Sequence, residues 1–585
     1  MKLLPCALFI LLSCTSLVKS EVIYLDPIPN SKYVSVNNNL IIGTDAQLSE
    51  SSLSGISVSV TGSKSGFHSG NLVLINDRTK LIFKPDHPFS FDETVTVRIN
   101  SNSYQLSFNG SQSVSYSFYT EASKIKWGAE ETLRSELGDR YHPPFQRDKP
   151  DPPELSVLIS NNPSPGKILM GSFAAAGSYI IIAENNGSIV FAKELSSTGY
   201  DFKRHPDGTF TYFSKSDEKF YMLDSIFNLI DSFYCGNGYT TDLHEIVFAP
   251  NGNVFLMAYD TKIIDMSLIV PGGHPTAAVT GLVIQEIDAE RNVVFQWKSW
   301  DHFQITDATH LNLTAANIDY VHGNAIEVDT DGHVLISSRH MDEITKINRT
   351  TGQIIWRLGG KNNDFSFIND PIKFSYQHDI RRIANGNVTL YDNGNFHSPS
   401  FSRAVEYQLD EVNKTATLVW QYRSNPDIYG FAMGSARRLP NGNTIIGWGY
   451  TSPTLTEVTP EGNIALQMKL SDGALTYRVT KSFFDIPTTV SGPPGEIPGS
   501  YKLSQNYPNP FNPSTSISFS LPEAGIVSIK IYDAMGREVR TLVNGQRQAG
   551  AHNVVFDGSG LSSGVYVYKI TAGDYTATRK MVLMK

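Results

Sequence analysis

A short pattern recurs along the middle of this 585-residue chain: an Asn-Gly or Asp-Gly turn followed at once by an apolar strand. It occurs in HPDGTFTYFS (205–214), APNGNVFLMAYD (249–260), DTDGHVLISSR (329–339), ANGNVTLYDNG (384–394) and LPNGNTIIGWG (439–449). Such a dipeptide between alternating apolar residues is the strongest short-range signal for a β-hairpin. Several units are followed by a further strand with a tryptophan near its end: Trp297, Trp356 and Trp420. The pattern predicts repeated antiparallel sheets whose cores include these tryptophans.

Repetition at intervals of roughly forty to sixty residues, with several strands in each unit, is typical of a β-propeller. Counting GKILMGSF (166–173) with the five turn units gives about six blades, so we predict an all-β chain with a six-bladed propeller over 166–484. The interval between Gly252 and Gly332 is long for one blade. We therefore expect VPGGHPTAAVTGLV (270–283) and SWDHFQITDATHLNLTAANID (299–319) to emerge as loops over one face.

The regions on either side of the propeller differ from it in composition. Residues 1–20 have the lysine, apolar core and small-residue end of a secretory signal peptide. Residues 21–120 alternate like a small sandwich and predict an Ig-like domain, and 121–165 form a charged, Pro-rich linker with one short helix. Residues 485–499 are a Pro/Gly linker, and 500–585 alternate like a second β-sandwich.

Composition excludes several classes of partner and site. The net charge of −9 and the low charged fraction of 18% argue against nucleic-acid binding, which needs a basic face. Beyond the signal peptide no apolar run is long enough for a membrane span, so we predict no stable span. Cys6 and Cys14 lie in the signal peptide, which leaves Cys235 alone and predicts no disulfide within the chain.

Histidines and one arginine in the propeller segment carry the candidate chemistry. His244, His322, His340 and His378 come from separate units, and Arg339 ends the strand VLISSR. These residues admit three interpretations: structural histidines at blade starts, a metal site, or an anion site with Arg339 as the fixed cation. The histidines have no compact metal-ligand spacing, and a guanidinium suits a planar anion with several oxygens. Chemistry alone leaves all three open.

A family resemblance narrows these alternatives. The segment DYVHGNAIEVDTDGHVLISSRHMDEITKINRTTGQIIWRLGG, the QHD of YQHDIRRI, LYDNGN and FSRAVEYQLDE resemble arylsulfate sulfotransferases, which are six-bladed propellers. The resemblance covers roughly 150–480. It implies that His378 becomes sulfated, that His322 and Arg339 contact the sulfuryl group, and that His244 is the remaining active-site histidine.

The same resemblance implies a reaction. An aryl sulfate would donate its sulfuryl group to His378 and a phenol would accept it, in ping-pong fashion, with His244 or His322 as the proton donor. It implies no cofactor and no metal. We expect activity to fall as the pH drops through a pKa of His378 near the unperturbed value of about 6.5. Two alternatives are a non-catalytic surface propeller that binds a sulfated or anionic ligand, and a metal-dependent hydrolase or lyase.

The C-terminal segment carries a second resemblance. YPNPFNPST, ISFSLPEAGIVSIKIYDAMGREVRTLV and LSSGVYVYKITAG closely resemble the sorting domain of cargo of the type IX secretion system. This implies export across an outer membrane, with the secretion machinery as a partner and a secreted or cell-surface location.

Neighbouring residues suggest supporting roles. Asp392, Asn393, Arg403 and Glu406 are candidates to brace the loop of His378, against ordinary turn chemistry. His333 and His340 flank the strand VLISSR, and a role at the site and an ordinary turn or surface position are both open for them. Tyr320 and Tyr376, each two residues before an active-site histidine, could stack on an aryl ring or simply pack.

Overall fold

The computed structural model describes residues 20–101, 106–124, 152–174, 177–484, 500–506, 509–511, 513–547 and 550–584. Apart from Ser20, the predicted signal peptide lies outside these residues. The expected helix in the first linker and the Pro/Gly linker at 485–499 also lie outside them. The described chain is almost entirely β-structure, and none of its described helices has the length and apolarity needed to cross a membrane.

The N-terminal domain consists of two sheets. The first has the order β5 (Gly70–Leu74), β6 (Lys80–Pro85), β2 (Leu40–Thr44), β1 (Ser20–Asp26), β8 (Leu106–Ser107). The second has the order β4 (Gly66–His68), β3 (Ile56–Gly62), β7 (Thr94–Ser101), β9 (Ser113–Tyr119). Alternation builds the core: in β7, Val95, Val97 and Ile99 are fully buried while the residues between them are more exposed. A 3₁₀ turn at Glu50–Gly55 precedes β3.

Six sheets form the propeller within the described part of the chain. The first blade contains β36 (Leu475–Ser482), β11 (Lys167–Ala174), β12 (Gly177–Ala183), β13 (Ile189–Leu195). The second contains β14 (Gly199–Arg204), β15 (Phe210–Ser214), β16 (Lys219–Leu223), β17 (Leu229–Phe233). The third contains β18 (Thr241–Phe248), β19 (Val254–Ile264), β20 (Ala277–Ile287), β21 (Val293–Lys298), with β22 (Asn317–Asp319) beside β20.

The remaining three blades follow the same antiparallel plan. The fourth contains β23 (Gly323–Val328), β24 (Val334–Ser338), β25 (Glu343–Ile347), β26 (Ile354–Gly359). The fifth contains β28 (His378–Arg382), β29 (Val388–Asp392), β30 (Arg403–Asp410), β31 (Thr415–Arg423), with β27 (Ser366–Ile368) outside β31. The sixth contains β32 (Ser435–Arg438), β33 (Thr444–Gly447), β34 (Leu455–Val458), β35 (Ile464–Leu470), β10 (Leu155–Ser160).

The first strand of each blade lies at the centre of the ring. Contacts run from β14 to β18, β23, β28, β32, β36 and back to β14. Both ends of the propeller segment close the ring, because β36 pairs with β11 and β35 pairs with β10. The six-bladed all-β architecture predicted from the hairpins is confirmed.

The recurring turn has the geometry that its glycine suggests. Gly332 has a φ of +83°, and the amide of Asp329 bonds the carbonyl of His333 across the turn. A Cβ at Gly332 would meet no atom within 4 Å, so backbone conformation and not space requires glycine there.

The third blade departs from the expected loops. Residues 277–283 belong to β20, which pairs with β19 along all eleven residues of each strand. The intervening segment, with a 3₁₀ turn at Met266–Leu268, forms the connection. The expectation of a loop through 270–283 is therefore wrong for its second half, because AAVTGLVIQEI is strand sequence despite the Pro-Gly-Gly before it. Further on lie helix α1 (Ser299–His302) and a 3₁₀ turn at Ile305–Asp307.

The tryptophans follow the prediction in two of three cases. Trp297 and Trp356 are fully buried. Trp420 is only half-buried, and its indole N–H donates to the carbonyl of Pro460 at 2.8 Å.

Buried polar contacts join the N-terminal domain to the third blade. The Lys262 ammonium pairs with Glu121 and with Asp260, and the Lys298 ammonium donates to the Ser31 hydroxyl at 2.6 Å. The Tyr24 hydroxyl donates to the carbonyl of Gln296 at 2.7 Å.

The C-terminal domain also has two sheets. One has the order β37 (Lys502–Leu503), β38 (Ser514–Leu521), β41 (Gly550–Asp557). The other has the order β40 (Glu538–Arg547), β39 (Gly525–Asp533), β42 (Gly564–Ala572), β43 (Tyr575–Leu583). Phe519, Ile529, Tyr568 and Met581 are buried together in its core.

Candidate active site

The inner strands bring the predicted histidines together at the centre of the ring. His244 lies on β18, His378 opens β28, and His322 immediately precedes β23. The ring centroid of His244 is 5.3 Å from that of His322 and 6.2 Å from that of His378. Residues separated by more than a hundred positions therefore form one cluster, as the propeller prediction requires.

His378 is fixed in one tautomer. Its Nδ1 lies 2.7 Å from the carbonyl oxygen of Gly434, which can only accept, so Nδ1 carries the proton and Nε2 keeps its lone pair. Burial, followed by the nearby Arg478 and His244, holds the pKa of His378 well below its usual value. The expectation of a pKa near 6.5 is therefore wrong, because this imidazole is only 2% exposed and lies near a guanidinium.

His244 and His322 share a different arrangement, in which Nδ1 meets a carboxylate. Nδ1 of His244 lies 2.5 Å from Oδ1 of Asp242, and Nδ1 of His322 lies 2.8 Å from Oδ2 of Asp319. Neither aspartate is among the site residues that the sequence predicts. The signal was present in DLH and DYVH, an aspartate two or three residues before each histidine.

Arg339 lies next to His322 and is held on three sides. The Arg339 amide donates to the carbonyl of His322 at 3.0 Å, and Nη2 of its guanidinium donates to the carbonyl of Phe431 at 2.9 Å. The guanidinium also lies over the Tyr376 ring, 4.2 Å from its centroid. The side chain is 2% exposed, so a buried cation borders the histidine cluster.

His340 is part of this arrangement and not a surface residue. Its Nδ1 donates to the carbonyl of Asp319 at 2.5 Å, and its Nε2 accepts from Nη1 of Arg339 at 3.0 Å. The surface interpretation of His340 is wrong because the 3₁₀ turn Arg339–Met341 packs against 321–322. His333, by contrast, lies half-buried at the turn, where its Nδ1 accepts from the amide of Arg349 at 3.3 Å.

One group of side chains in the cluster has the spacing of metal ligands. Potential ligand atoms of Asp319, His322 and His340 lie within 4.8 Å of one another. Both nitrogens of His340 are engaged by the carbonyl of Asp319 and by Arg339, and an adjacent guanidinium disfavours a cation. The residues fit an anion better than a metal.

Backbone strain concentrates around the cluster. Several non-glycine residues here have φ in the left-handed region: His322 (+49°), Asp342 (+51°), Tyr376 (+52°), Asp379 (+63°), Met433 (+63°). Such conformations cost on the order of 1–3 kcal/mol each and persist where the surrounding structure imposes them, often at functional sites.

The fifth blade braces the segments on both sides of His378. Oδ1 of Asp392 accepts from the amide of Ser375, and Nε of Arg403 donates to Oδ2 of Asp392 at 2.8 Å. Nδ2 of Asn393 donates to the carbonyls of Gly430 and Met433, just before the carbonyl that holds His378. The bracing hypothesis is supported for these three residues. Glu406 instead bonds Asn385, Asn387 and Arg438.

Aromatic side chains line the cluster beyond Arg339. The Tyr376 ring is edge-on to Phe396 at 5.0 Å, and Phe396 stacks on His310 at 3.5 Å between centroids. Phe396 remains 50% exposed. Tyr320 is fully buried, and its hydroxyl donates to Ser299 at 2.8 Å, which favours packing for that residue.

Tyr477 on β36 was also missed by sequence reasoning. Its ring is perpendicular to that of His378, with 5.2 Å between centroids, and its hydroxyl donates to the carbonyl of His244 at 3.2 Å. Nothing in TYRV around it distinguishes it from ordinary strand sequence.

A network of buried charges lies directly beside the cluster. Glu245, Asp379 and Arg478 follow His244, His378 and Tyr477 on their strands. They form ion pairs with one another and with Asp201, Lys203, Arg381 and Arg437. A paired network of this kind fixes the inner strands in register.

Two segments of the chain match known protein families. Residues 158–478 match the arylsulfotransferase (ASST) family, and residues 505–584 match the secretion system C-terminal sorting domain. The arylsulfate sulfotransferase AssT of Escherichia coli O6:H1 is 23% identical over 330 residues, covering 44% of this chain and 53% of that protein. The chain thus spans about half the length of this curated relative.

Solved structures give weaker likenesses. A Bacteroides caccae protein of unknown function is 15% identical, with a TM-score of 0.36 over 54% of this chain and 99% of that chain. A catalytically inactive variant of the virginiamycin B lyase of Staphylococcus aureus is 10% identical, with a TM-score of 0.31 over 56% of this chain and 99% of that chain.

The sorting domain marks the chain for export, to the cell surface or as a secreted protein. The propeller match extends over more than half of the chain and includes all four predicted site residues. The chain therefore belongs to the arylsulfotransferase family.

Proposed function

We propose that this protein transfers a sulfuryl group from an aryl sulfate to a phenolic acceptor through a sulfohistidine at His378. The observation that carries the proposal is the contact between Nδ1 of His378 and the carbonyl of Gly434. It leaves the lone pair of Nε2 available as a nucleophile, and the lowered pKa keeps the imidazole neutral.

The surrounding groups suit the charge of a sulfate ester. Arg339 presents a buried guanidinium held by Phe431 and Tyr376, and His322 lies beside it. Fixed donors of this kind stabilise charge on the sulfuryl oxygens without reorganising during the reaction.

The reaction runs in two balanced halves. Nε2 of His378 forms a bond to sulfur while the bond from sulfur to the aryl oxygen breaks, and His244 or His322 gives a proton to the departing phenolate. An acceptor phenol then returns that proton and forms a new sulfur–oxygen bond as the nitrogen–sulfur bond breaks. Donor and acceptor use the same site in turn, which predicts ping-pong kinetics.

A chromogenic donor tests the proposal. The full chain is incubated with 4-nitrophenyl sulfate, with and without phenol, and mass spectrometry examines the peptide that contains His378. Acceptor-dependent release of nitrophenol and a sulfuryl adduct on that peptide are expected. Release that does not depend on the acceptor would indicate a sulfatase, and no release with no adduct would favour an anion-binding surface propeller.

A further inference from the structure

Three histidines meet at the centre of the propeller, and their Nδ1 atoms have unlike partners. His378 faces a carbonyl oxygen, that of Gly434 at 2.7 Å. His244 faces the carboxylate of Asp242 at 2.5 Å, and His322 faces that of Asp319 at 2.8 Å. One ring is therefore held by a neutral acceptor and two by anionic ones.

The difference has a chemical meaning. A carbonyl fixes orientation but gives little support to a cationic imidazolium, whereas a carboxylate stabilises one strongly. A ring whose Nδ1–H points at a carboxylate can carry a second proton on Nε2 and deliver it into the site. The carbonyl partner suits a nucleophile, and the carboxylate partners suit proton donors.

Position separates the two carboxylate-held rings. His322 lies on the arginine side, since its carbonyl accepts from the Arg339 amide and its ring is 4.7 Å from that of His340. The His244 ring packs against Tyr477, whose ring also contacts His378, and the Tyr259 ring contacts both His244 and His322. If Arg339 and His322 hold the sulfuryl group, His244 is the carboxylate-held ring that remains to serve the departing oxygen.

Asp242 is built to hold His244 in one orientation. Its Oδ1 accepts from both the backbone amide (3.0 Å) and Nδ1 of His244, and its side chain is almost completely buried. The Tyr259 hydroxyl, which also lies near this nitrogen, gives its proton to the carbonyl of Gly323 at 2.9 Å.

We propose that Asp242 is a positioning residue that holds His244 as the proton donor to the departing phenolate, while Asp319 positions His322 as a ligand of the sulfuryl oxygens. The inference rests on the proposed function of the site. In the first half-reaction the Nε2 proton of His244 moves to the phenolate oxygen as the sulfur–oxygen bond breaks. In the second half-reaction the acceptor phenol returns it.

Leaving-group dependence tests this division of roles. The rate of sulfuryl transfer to His378 is measured in single turnovers with 4-nitrophenyl sulfate, whose phenol is acidic, and with phenyl sulfate, whose phenol is much less so. Asp242→Asn should slow transfer from phenyl sulfate by about 100-fold or more, the scale of general acid catalysis, and transfer from 4-nitrophenyl sulfate by less than about 10-fold. Asp319→Asn should slow both donors by the same factor.

Controls separate the possible failures. Asp86→Asn, at an exposed site in the N-terminal domain, should leave both rates unchanged. If Asp242→Asn does not fold, as judged by circular dichroism, His244→Asn is used for the same donor series and should give the same selective loss. Wild-type protein that forms no adduct on His378 overturns the proposed function and this inference together. The remaining case is a wild-type protein that forms the adduct while Asp242→Asn or His244→Asn slows transfer from both donors by the same factor. That result overturns this inference alone.

Discussion

The guanidinium of Arg339 lies 4.2 Å from the ring centroid of Tyr376, a cation over an aromatic face at the edge of the histidine cluster. The ring and the carbonyl of Phe431 together fix the plane of the guanidinium fork. A lysine at this position would keep the charge but lose the fork and the flat stacking surface.

Arg339→Lys should therefore lower kcat/KM for an aryl sulfate by about 100-fold or more, the scale of a lost transition-state donor. Steady-state rates with 4-nitrophenyl sulfate and phenol measure the effect. Arg291→Lys, at an exposed ion pair with Asp231, is the matched control and should retain full activity. Near wild-type activity in Arg339→Lys would contradict a role for the fork.

His378→Asn should abolish both nitrophenol release and the sulfuryl adduct, because the lone pair of an amide nitrogen is delocalised and cannot attack sulfur as that of Nε2 does. Mass spectrometry after donor treatment checks the adduct. His87→Asn, an exposed histidine of the N-terminal domain, should behave as the wild type. An adduct of normal yield on another residue of the His378→Asn variant would move the nucleophile elsewhere.

The pH dependence follows from the lowered pKa of His378. The neutral imidazole is the reactive form, so a pKa held well below 6.5 preserves the nucleophile as the pH falls through that value. Single-turnover adduct formation, followed from about pH 8 to about pH 5, should not fall tenfold per unit below about 6.5. Such a fall, in protein shown by circular dichroism to stay folded, would mean that His378 titrates normally.

Phe396→Ala should raise KM for aryl sulfates by roughly 2- to 13-fold, the factor expected for one aromatic contact of about 0.5–1.5 kcal/mol. The ring is half exposed and lies edge-on to Tyr376, beside the arginine that we expect to bind the sulfate. KM is measured with 4-nitrophenyl sulfate. Phe67→Ala is the control, because Phe67 is an even more exposed residue of the N-terminal domain, and it should leave KM unchanged. If the KM of Phe396→Ala equals that of the wild type, the aryl group binds elsewhere.

Lys262→Met should destabilise the protein by about 3–5 kcal/mol, because Glu121 and Asp260 would remain buried without their cation. Calorimetric melting should show a lower transition temperature. Lys64→Met removes an exposed pair with Asp92 and should cost less than about 1 kcal/mol. Equal transition temperatures for the two variants would show that the Lys262 pair contributes little.

Sequence patterns predicted the ring of blades because each hairpin carries its own local turn chemistry. The position of β20 was harder to predict, since the Pro-Gly-Gly before it looks like loop and only pairing with β19 makes it a strand. Strand propensity is a property of the local sequence, whereas the pairing of these two strands depends on the tertiary structure.

The candidate site likewise contains residues that the sequence identifies and residues that only the folded structure reveals. His244, His322, Arg339 and His378 could be named from residue type and family resemblance, and the structure brings them together. Tyr477 and the burial of His340 could not be named, because both depend on strands and turns that meet only when the ring is complete. The lowered pKa of His378 likewise arises from burial and from Arg478, a hundred residues further along the chain.

The pairing of β36 with β11 imposes an order of events on the appearance of activity. Tyr477 and Arg478 belong to that closing strand, so the wall beside His378 is contributed by one of the last propeller segments to be made. A nascent chain that already contains His244, His322, Arg339 and His378 still lacks this wall, and its first blade has no inner strand. Completion of the ring and completion of the site are therefore one event, and a chain cut short before residue 475 would carry every predicted catalytic residue but lack the Tyr477 and Arg478 side chains beside His378.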